Sequence, residues 1–401
     1  MRPLALALIA LAALVLALPA VAAAQRPPDV SGAAAAIVID GRNGEVMYAK
    51  RPDERRSIAS TTKLMTALLA VERARPRQVF TAPEYNALPA ESRINLRRGE
   101  RMTVQDLLEA LLLESANDAA AALAENLSGS REAFVAEMNV RAEELGLENT
   151  SYANPIGLDD PANYSTARDL ATLTRLLLER PRFARIVDMP VAELESGAIS
   201  RVIDNRNTLV ASTPWVTGVK TGHTMNAGYV LVGSAKGRGG AEVISVVLGE
   251  PSEPARDADT LELLTWGLGQ FRRVQVLDPE RALASARIRY YEDDEARLVP
   301  RRGAVVTIRR GEHVRRRVRA REELEGPLAA GARAGVVTVL VEGERVRRIA
   351  LVTAAEVPEA GTLRVLTSVL GVPLTLLLGL AILLAAPIAV LLVRGRRRSV
   401  R

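Results

Sequence analysis

The sequence contains no cysteine and only two histidines, and these absences exclude several kinds of protein. Without cysteine the chain forms no disulfides or thiolate metal sites, and His223 and His313 alone cannot build a histidine-rich metal centre. Aromatic residues make up only 3% of the chain, so we expect cores built from Ala, Val and Leu. The net charge of +6 is modest for 401 residues and does not cluster with aromatics. Nucleic acid is therefore not an expected partner.

Lysine is also scarce, because only four of the 53 basic residues are lysines. Two of the four lie in short motifs, Ser60-Thr-Thr-Lys63 and Lys220-Thr-Gly222, whereas Lys50 and Lys236 do not. Arginine stays protonated in proteins, but lysine can lose its proton. A base that takes a proton from serine must therefore be lysine, which predicts a chemical role for Lys63.

Two long uncharged segments indicate where the protein resides. Residues 4–24 form an apolar run after Arg2 and end in three alanines, which predicts a secretory signal peptide over residues 1–24. An uncleaved anchor is the alternative. Residues 365–393 carry no charge and are long enough to span a bilayer. The arginine-rich tail, residues 394–401, then predicts a cytoplasmic C-terminus. We expect a single-pass cell-membrane protein whose residues 25–363 face outward.

Residues 25–272 alternate between stretches typical of strands and stretches typical of helices. Apolar runs flank Asn43-Gly44, which predicts a hairpin. The other expected elements are helices at residues 60–69, 107–113, 119–127, 137–145, 166–178 and 256–271, and strands at residues 215–221, 228–235 and 242–248. Strands at both ends with helices between them predict an α/β fold, an antiparallel sheet packed with helices.

Residues 273–360 have a different character. Short β-branched segments alternate with glycine turns, which predicts a small all-β domain. Arginines outnumber acidic residues by 19 to 14 between Phe271 and Ala360. We interpret this basic domain as a stalk that sets the distance from the membrane. The alternative is that it binds an anionic polymer of the cell envelope.

The first motif suggests nucleophilic catalysis. Ser60 and Lys63 are one helical turn apart, so their side chains share a face, and Lys63 can activate the Ser60 hydroxyl. The pKa of a free lysine is about 10.4, and burial and a neighbouring cation lower it. Lys220 can supply that cation. Ser115 and Asn117 interrupt a helix and form a second polar pair, in which Ser115 can relay a proton and Asn117 can hold a substrate amide.

The third motif lies at the end of an expected strand. Gly222 allows a substrate backbone to approach, so that an extended peptide can add to the strand edge beside Lys220 and Thr221. The N–H groups of Ser60 and of the residue after Gly222 can form an oxyanion hole. A triad of Ser60, His223 and an aspartate is an alternative. We disfavour it because local helix geometry already places Lys63 beside Ser60.

In this order, the three motifs resemble those of the penicillin-binding protein and serine β-lactamase superfamily. Residues 33–271 resemble the D-alanyl-D-alanine carboxypeptidases among the low-molecular-mass penicillin-binding proteins, peptidase family S11. The segments that carry the resemblance are residues 57–66, 154–158, 164–170, 218–224 and 263–267. The resemblance implies that Arg256 binds the terminal carboxylate of the substrate and that the N–H of His223 is the second oxyanion donor.

The resemblance also implies the reaction. Ser60 attacks the D-Ala-D-Ala carbonyl of peptidoglycan stem pentapeptides, D-alanine leaves, and water hydrolyses the acyl-enzyme. β-Lactam antibiotics are expected to acylate Ser60, and no metal or cofactor is implied. The chain departs from the family pattern at Ala116, where Gly or Asp is commoner, and in its spanning anchor, where several relatives use an amphipathic helix.

Three alternatives remain open. A β-lactamase of class A uses a glutamate in an E-x-x-L-N loop, and no segment between Asn117 and Lys220 resembles it. A non-catalytic penicillin sensor or wall-binding module is a second alternative, although every polar group needed for catalysis is present. Transpeptidation or endopeptidase cleavage is the third, because the motifs do not specify the acceptor of the acyl group.

Overall fold

The computed structural model describes residues 26–398, and these form two compact units that divide between Gln270 and Phe271. The expected signal peptide, residues 1–24, lies outside the described residues. The strands of the first unit are β1 (Ala35–Asp40), β2 (Val46–Lys50), β3 (Val79–Thr81), β4 (Arg101–Thr103), β5 (Val191–Leu194), β6 (Arg201–Asp204), β7 (Val216–Thr224), β8 (Gly228–Lys236) and β9 (Glu242–Glu250). Its α-helices are α1 (Lys63–Arg73), α2 (Val104–Glu109), α3 (Asn117–Ser128), α4 (Arg131–Glu144), α5 (Ala167–Leu178), α6 (Pro181–Val187), α7 (Thr208–Ser212) and α8 (Glu253–Gly269).

The central sheet of the first unit is antiparallel, with strand order β2-β1-β9-β8-β7. Every residue of β1 is buried, so both faces of the sheet are covered. α8 lies against β8 and β9, and a Cβ built on Gly233 would lie 2.8 Å from the Thr260 methyl. The expected α/β architecture and the hairpin at Asn43-Gly44 are confirmed. Because β7 is an outer strand of this sheet, one of its edges is unpaired within the sheet.

Two predicted helices differ from the structure in their details. Ser60 lies in a 3₁₀ turn, Ala59–Thr62, and the α-helix begins only at Lys63. Ala59 has a left-handed backbone (φ +46°) that a regular α-helix does not accommodate. The helix expected at residues 107–113 is α2 followed by a π-helical turn, Ala110–Glu114. This helix begins three residues before the expected start, because the Thr103 side chain caps it by accepting the Asp106 N–H.

The second unit begins with eight strands over residues 271–353, which agree with the expected all-β character of this part of the chain. They are β10 (Phe271–Leu277), β11 (Ala284–Ile288), β12 (Tyr291–Pro300), β13 (Ala304–Arg309), β14 (Val314–Ala320), β15 (Glu323–Leu324), β16 (Arg333–Val341) and β17 (Glu344–Thr353). Six form one sheet, in the order β14-β16-β17-β12-β11-β15, and β10 pairs with β13. A buried cluster that includes Val306 and Val339 joins the pair to the larger sheet.

The uncharged C-terminal run is not one helix, contrary to our expectation of a single segment. It is divided between α9 (Thr362–Leu370) and α10 (Val372–Arg398). Gly371, with φ +77°, ends α9, and Pro373 follows at a position where proline can begin a helix but not continue one. Among the described residues, one helical segment, Val372–Val390, is long and apolar enough to cross a membrane.

Candidate active site

Ser60 and Lys63 lie in contact at the junction of the 3₁₀ turn and α1. The Lys63 ammonium donates to Ser60 Oγ at 2.9 Å and to the carbonyl oxygen of Ile156 at 2.6 Å. Lys63 is fully buried, whereas Ser60 is partly exposed. The serine can therefore meet a substrate from solvent while its amine partner stays out of water.

The loop at residues 154–158 positions the Ile156 carbonyl, which accepts the hydrogen bond from the Lys63 ammonium. Asn154 Oδ1 accepts the backbone N–H groups of Ile156, Gly157 and Leu158, at 3.3, 2.6 and 3.1 Å. Gly157 has φ +92°, and a Cβ there would lie 2.0 Å from the Ala59 carbonyl oxygen. Only glycine fits this approach, which fixes the loop against the residue before the nucleophile. The loop thus sets the position of the lysine amine.

Burial and neighbouring charges shift the pKa values of the two buried lysines, Lys63 and Lys220. Burial is the main cause that holds the pKa of Lys63 well below its ordinary value, and the charge of Lys220 adds to it. Glu91 and Asp118 oppose this effect by favouring the ammonium form of Lys63. Burial, aided by Arg206 and Arg256, lowers the pKa of Lys220 to about 7. Both lysines can thus lose a proton far more readily than a lysine in water.

Ser115 and Asn117 lie where the helix is interrupted. The π-helical turn ends at Ser115, whose backbone is left-handed (φ +65°), and α3 begins at Asn117. π-Helical turns often occur at functional sites, because they redirect the following side chains. The break places Ser115 on the wall of the cavity that also contains Ser60.

The cavity above Ser60 has a volume of about 320 Å³. It brings six of the nine candidate residues together, and Lys63 and Lys220 are buried nearby. Its lining residues are Ser60, Ala90, Ser92, Ser115, Arg206, Thr221, Gly222, His223, Tyr229, Glu253 and Arg256. Asn117 does not line it directly, but its backbone N–H donates to the carbonyl of the lining residue Ser92 at 2.8 Å.

β7 runs directly beside the nucleophile. A Cβ built on Gly222 would lie 2.9 Å from the backbone nitrogen of Ser60, so a side chain there would displace one of the two segments. The absence of a side chain allows the outer strand to carry Thr221 and His223 along the cavity. The His223 ring is exposed and stacks on Tyr229 with ring centroids 4.0 Å apart. Among the described side chains, it is Lys63 that hydrogen-bonds to Ser60 Oγ, at 2.9 Å, so the two groups that the motif spacing placed together are in contact.

Arg256 places a buried guanidinium at the cavity wall. It is 3% exposed, and it pairs with Asp257 at 2.7 Å and with Glu253 at 2.9 Å. α8 carries all three residues in its first turns, behind the N-cap Ser252. The carboxylates orient the arginine, and a carboxylate ligand can compete with the more exposed Glu253 for it.

Sequence reasoning did not identify three residues of this neighbourhood. Arg206 lines the cavity, pairs with Glu114 and acts on Lys220. Glu91 accepts the Asn117 side-chain amide at 2.6 Å, and Tyr229 supports His223. None of them belongs to a recognisable short motif. Arg206 and Glu91 lie on connecting segments, so only the folded chain brings them to the site.

In this site a serine contacts a buried lysine, and an outer strand beside it carries Lys-Thr-Gly. This arrangement defines a serine acyl-transfer enzyme of the penicillin-binding type. Comparison with known proteins narrows this class. The family model described as D-alanyl-D-alanine carboxypeptidase, Peptidase S11, matches residues 21–252. The chain therefore belongs to the D-alanyl-D-alanine carboxypeptidase family of serine peptidases.

Individual relatives agree with this assignment. The carboxypeptidase DacF of Bacillus subtilis is 30% identical over 348 residues, which cover 84% of this chain and 89% of that protein. Penicillin binding protein 5 from Haemophilus influenzae has a TM-score of 0.60 at 30% identity, covering 83% of this chain and 99% of that one. The DD-transpeptidase of Streptomyces K15 has a TM-score of 0.58 at 31% identity, covering 61% and 99%. The family favours carboxypeptidase activity over the β-lactamase and non-catalytic alternatives.

Proposed function

We propose that Ser60 is the nucleophile of this carboxypeptidase and that Lys63 is its general base. The observation that carries the proposal is the 2.9 Å contact between Lys63 Nζ and Ser60 Oγ beneath the cavity. In its neutral form Lys63 accepts the hydroxyl proton as Ser60 Oγ bonds to the substrate carbonyl carbon. Ser115, on the same cavity wall, relays a proton to the departing amine. Water then attacks the ester and regenerates Ser60.

The remaining site residues bind and polarise the substrate. The backbone N–H groups of Ser60 and His223 form the oxyanion hole, which the close approach of Gly222 to Ser60 supports. The peptide adds to the free edge of β7 as an extended strand, beside Thr221 and the buried Lys220. Asn117 holds a substrate amide, and Arg256 receives the terminal carboxylate.

The substrates we propose are peptidoglycan stem peptides that end in D-Ala-D-Ala. The buried Arg256 suits a free carboxylate at the C-terminus, and a cavity of about 320 Å³ has room for small side chains near the scissile bond. β-Lactam antibiotics present a carboxylate and a reactive carbonyl, so they acylate Ser60 as well.

The test is D-alanine release from diacetyl-Lys-D-Ala-D-Ala by the full chain in detergent, compared with Ser60→Ala. We expect release by the wild type and none by the variant, with mass spectrometry locating a fluorescent penicillin on Ser60. Stable penicillin labelling of Ser60 without D-alanine release would contradict the hydrolytic assignment and favour the sensor.

Transpeptidation is a second candidate activity, because the Streptomyces K15 protein that the chain resembles over its first unit is a DD-transpeptidase. The free edge of β7 can present the acyl-enzyme to an amine as well as to water. Adding glycylglycine or another amine acceptor to the release assay separates the two outcomes. Transfer of the diacetyl-Lys-D-Ala acyl group to the added amine would indicate transpeptidation, and free diacetyl-Lys-D-Ala would indicate hydrolysis.

We further propose that this catalytic unit is displayed outside the cell on a membrane anchor. Residues 1–24 act as the signal peptide, residues 25–272 as the catalytic domain and residues 273–360 as the β-domain. The segment at residues 365–393 crosses the bilayer, chiefly through Val372–Val390, and residues 394–401 stay in the cytoplasm. Protease treatment of intact spheroplasts should degrade the catalytic unit and spare a C-terminal epitope tag.

A further inference from the structure

One sheet of the second unit carries a group of arginines that the proposed peptidase function does not use. β14 lies at one end of the six-stranded sheet, where it pairs with β16. Its sequence, Val-Arg-Arg-Arg-Val-Arg-Ala, places four exposed arginines within seven residues. Arginine stays protonated at every physiological pH, so these charges are permanent. The register of the neighbouring strands shows which of these arginines share a face.

Side chains of β14, β16 and β17 alternate between the buried cluster and the opposite face of the sheet. In β16, Val337 and Val339 are fully buried in that cluster, so Thr338 between them lies on the other face. Residues directly opposite each other in antiparallel strands share a face. The register pairs Thr338 with Arg317 of β14 and with Arg348 of β17. These two arginines therefore flank Thr338 on the face that points away from the core.

The same register adds three more arginines to this face. Leu340 lies between Arg315 of β14 and Arg345 of β17, and Val336 lies opposite Arg319. All these arginines are exposed, whereas the β16 residues between them are half-buried. Neighbouring strands are about 4.8 Å apart, so the two rows of arginines stand about 10 Å apart across a floor formed by β16. We call this surface the arginine face, and its arginines are Arg315, Arg317, Arg319, Arg345 and Arg348.

A cavity adjoins the arginine face at the end where β16 begins. It has a volume of about 510 Å³, and Arg319, Arg321 and Arg333 are among its lining residues. A Cβ built on Gly335, another lining residue, would lie 2.5 Å from the Arg319 carbonyl oxygen. Only glycine therefore allows β14 to approach β16 at this point. Positive charge thus extends from the flat sheet surface into a concave site.

Acidic side chains do not neutralise this surface. Within residues 26–398, the ion pairs of the second unit join Arg289 to two glutamates and involve no arginine of the arginine face or of the cavity. Two acidic residues lie at the turn between β16 and β17. Glu344 lies opposite the buried Val341, so it is on the other face of the sheet, and Glu342 accepts a backbone N–H. The arginines are therefore available to an external anion.

The main acidic run of the same sheet lies away from the arginine face. β12 pairs with β17 from Leu298–Thr353 to Pro300–Leu351. The run Glu292–Glu295 lies beyond the first of these pairs, whereas Arg348 lies beyond the second. The charges of the sheet are thus separated along its strands, with the acidic residues at one end and the arginine face at the other.

The chemistry of the arginine face indicates the ligand. A planar guanidinium binds phosphate through paired hydrogen bonds. The arginines of one row are about 7 Å apart, which is within the Debye length of about 8 Å at physiological salt, so they repel one another. An anion lying along the row relieves this repulsion. Two rows with a floor between them suit a linear ligand with repeated negative charges better than a single ion.

The shape of the surface distinguishes such a polymer from a membrane. Segments that lie in a membrane surface insert large apolar side chains between the lipids. On the arginine face the apolar residues, Val336 and Leu340, are half-buried in the floor between the arginines. Proteins that bind single-stranded nucleic acid stack the bases on aromatic side chains, and no strand residue of this face is aromatic. A polymer recognised by its phosphates alone fits better.

We propose that the arginine face and the adjoining cavity bind a linear polyanion with repeated phosphate groups, as presented by anionic polymers of the cell envelope. The second unit is then a binding module and not only a stalk. The inference goes beyond the proposed peptidase function, because this binding uses none of the groups around Ser60.

The test uses the full chain in a neutral detergent and a fluorescently labelled linear polyphosphate, with binding followed by fluorescence anisotropy. We expect the wild type to bind, and the double variant Arg317→Gln, Arg348→Gln to bind about ten-fold more weakly or worse, because it loses two charge-assisted contacts. With five arginines on phosphates, the logarithm of the binding constant should fall against the logarithm of salt concentration with a slope of about −3.5. The slope of the double variant should be about −2.

The double variant Arg77→Gln, Arg185→Gln is the matched control. Both arginines are exposed on the first unit, and neither forms an ion pair with a described residue. The control therefore loses the same net charge as the test variant, but from a different surface. It should bind polyphosphate as tightly as the wild type. All four substituted side chains are exposed, so both double variants should unfold at the wild-type temperature and release D-alanine at the wild-type rate.

Four results would overturn the inference. The wild type does not bind polyphosphate, or the control loses as much affinity as the test variant, which would show attraction by net charge alone. Inorganic monophosphate displaces the polymer at an equal concentration of phosphate, which would show a site for single ions. Vesicles of phosphatidylglycerol bind through Arg317 and Arg348 whereas polyphosphate does not, which would make the membrane the partner. A wild type that releases no D-alanine would refute the proposed function and leave this test unchanged.

Discussion

Replacing Lys220 by methionine should inactivate the enzyme and stabilise its catalytic unit. Lys220 is 1% exposed, and its ammonium donates to the Thr221 carbonyl at 3.0 Å. Burial, with Arg206 and Arg256 nearby, lowers its pKa from 10.5 to about 7. Folding therefore works against protonation of this amine at every pH below 10.5. Methionine has a similar length and no charge to bury.

The difference in the Lys220 pKa between the unfolded and folded states determines how much this lysine lowers the free energy of unfolding. The difference between the Lys220 pKa values of the unfolded and folded states, about 3.5, corresponds to about 5 kcal/mol. Lys220 destabilises the folded state by this full amount below pH 7, where the lysine is protonated in both states. At pH 7 the cost is about 4 kcal/mol, near pH 9 it falls to about 2 kcal/mol, and it almost vanishes near pH 10.5. The unfolded state binds more protons throughout this range, so wild-type stability rises with pH. Losing the contact with Thr221 costs about 1–2 kcal/mol.

We therefore expect Lys220→Met to unfold with a free energy about 2–3 kcal/mol higher than that of the wild type at pH 7. The advantage should disappear and then reverse as the pH approaches 10. Urea unfolding followed by tryptophan fluorescence measures this, because both tryptophans, Trp215 and Trp266, lie in the catalytic unit. A variant less stable than the wild type at pH 7, or a difference that does not vary with pH, would refute the reasoning.

Three further substitutions test single contacts. Lys63→Arg should abolish acylation by fluorescent penicillin at every pH, because a guanidinium does not release its proton; gel fluorescence measures this. Gly157→Ala should lower stability by at least about 1–2 kcal/mol and slow acylation, because its Cβ would meet the Ala59 carbonyl and shift the acceptor of Lys63; urea unfolding and labelling report the two effects. Arg256→Gln should raise KM for the tripeptide about ten-fold or more, but should barely affect a substrate with an amidated C-terminus.

The sequence predicts the parts of this site that depend on local spacing. Ser60 and Lys63 are three residues apart, so any helical turn brings their side chains together, even the 3₁₀ turn that the structure has in place of an α-helix. The Lys-Thr-Gly motif similarly needs only a strand at an open edge. The hairpin at Asn43-Gly44 and the Thr103 cap follow from turn and capping preferences, which act over a few residues.

The parts that the sequence does not reveal depend on contacts between distant segments. Glu91 becomes significant only because the β3–β4 segment folds over Asn117, 26 residues later in the chain. Arg206 reaches Lys220 through a loop whose course is set by its backbone contact with Leu113. Gly371-Val-Pro373 is a sequence typical of a helix end followed by a new helix start, and it does separate α9 from α10. The long uncharged run on both sides nevertheless predicted one continuous helix.

The backbone around Ser60 shows why such a site needs a large, well-packed unit. Ala59 and Ser115 both have left-handed backbones, at φ +46° and +65°, and neither is glycine. Each costs about 1–3 kcal/mol and persists only where the surroundings fix it. Ala59 is fixed by Gly157, which allows the 154–158 loop to approach its carbonyl, and Ser115 is fixed between the π-helical turn and α3. The strained backbones and the buried lysine amines both lower the free energy of unfolding of this unit. The apolar core around α1, α3 and the sheet therefore offsets the cost of two left-handed backbones and two buried lysines in this site.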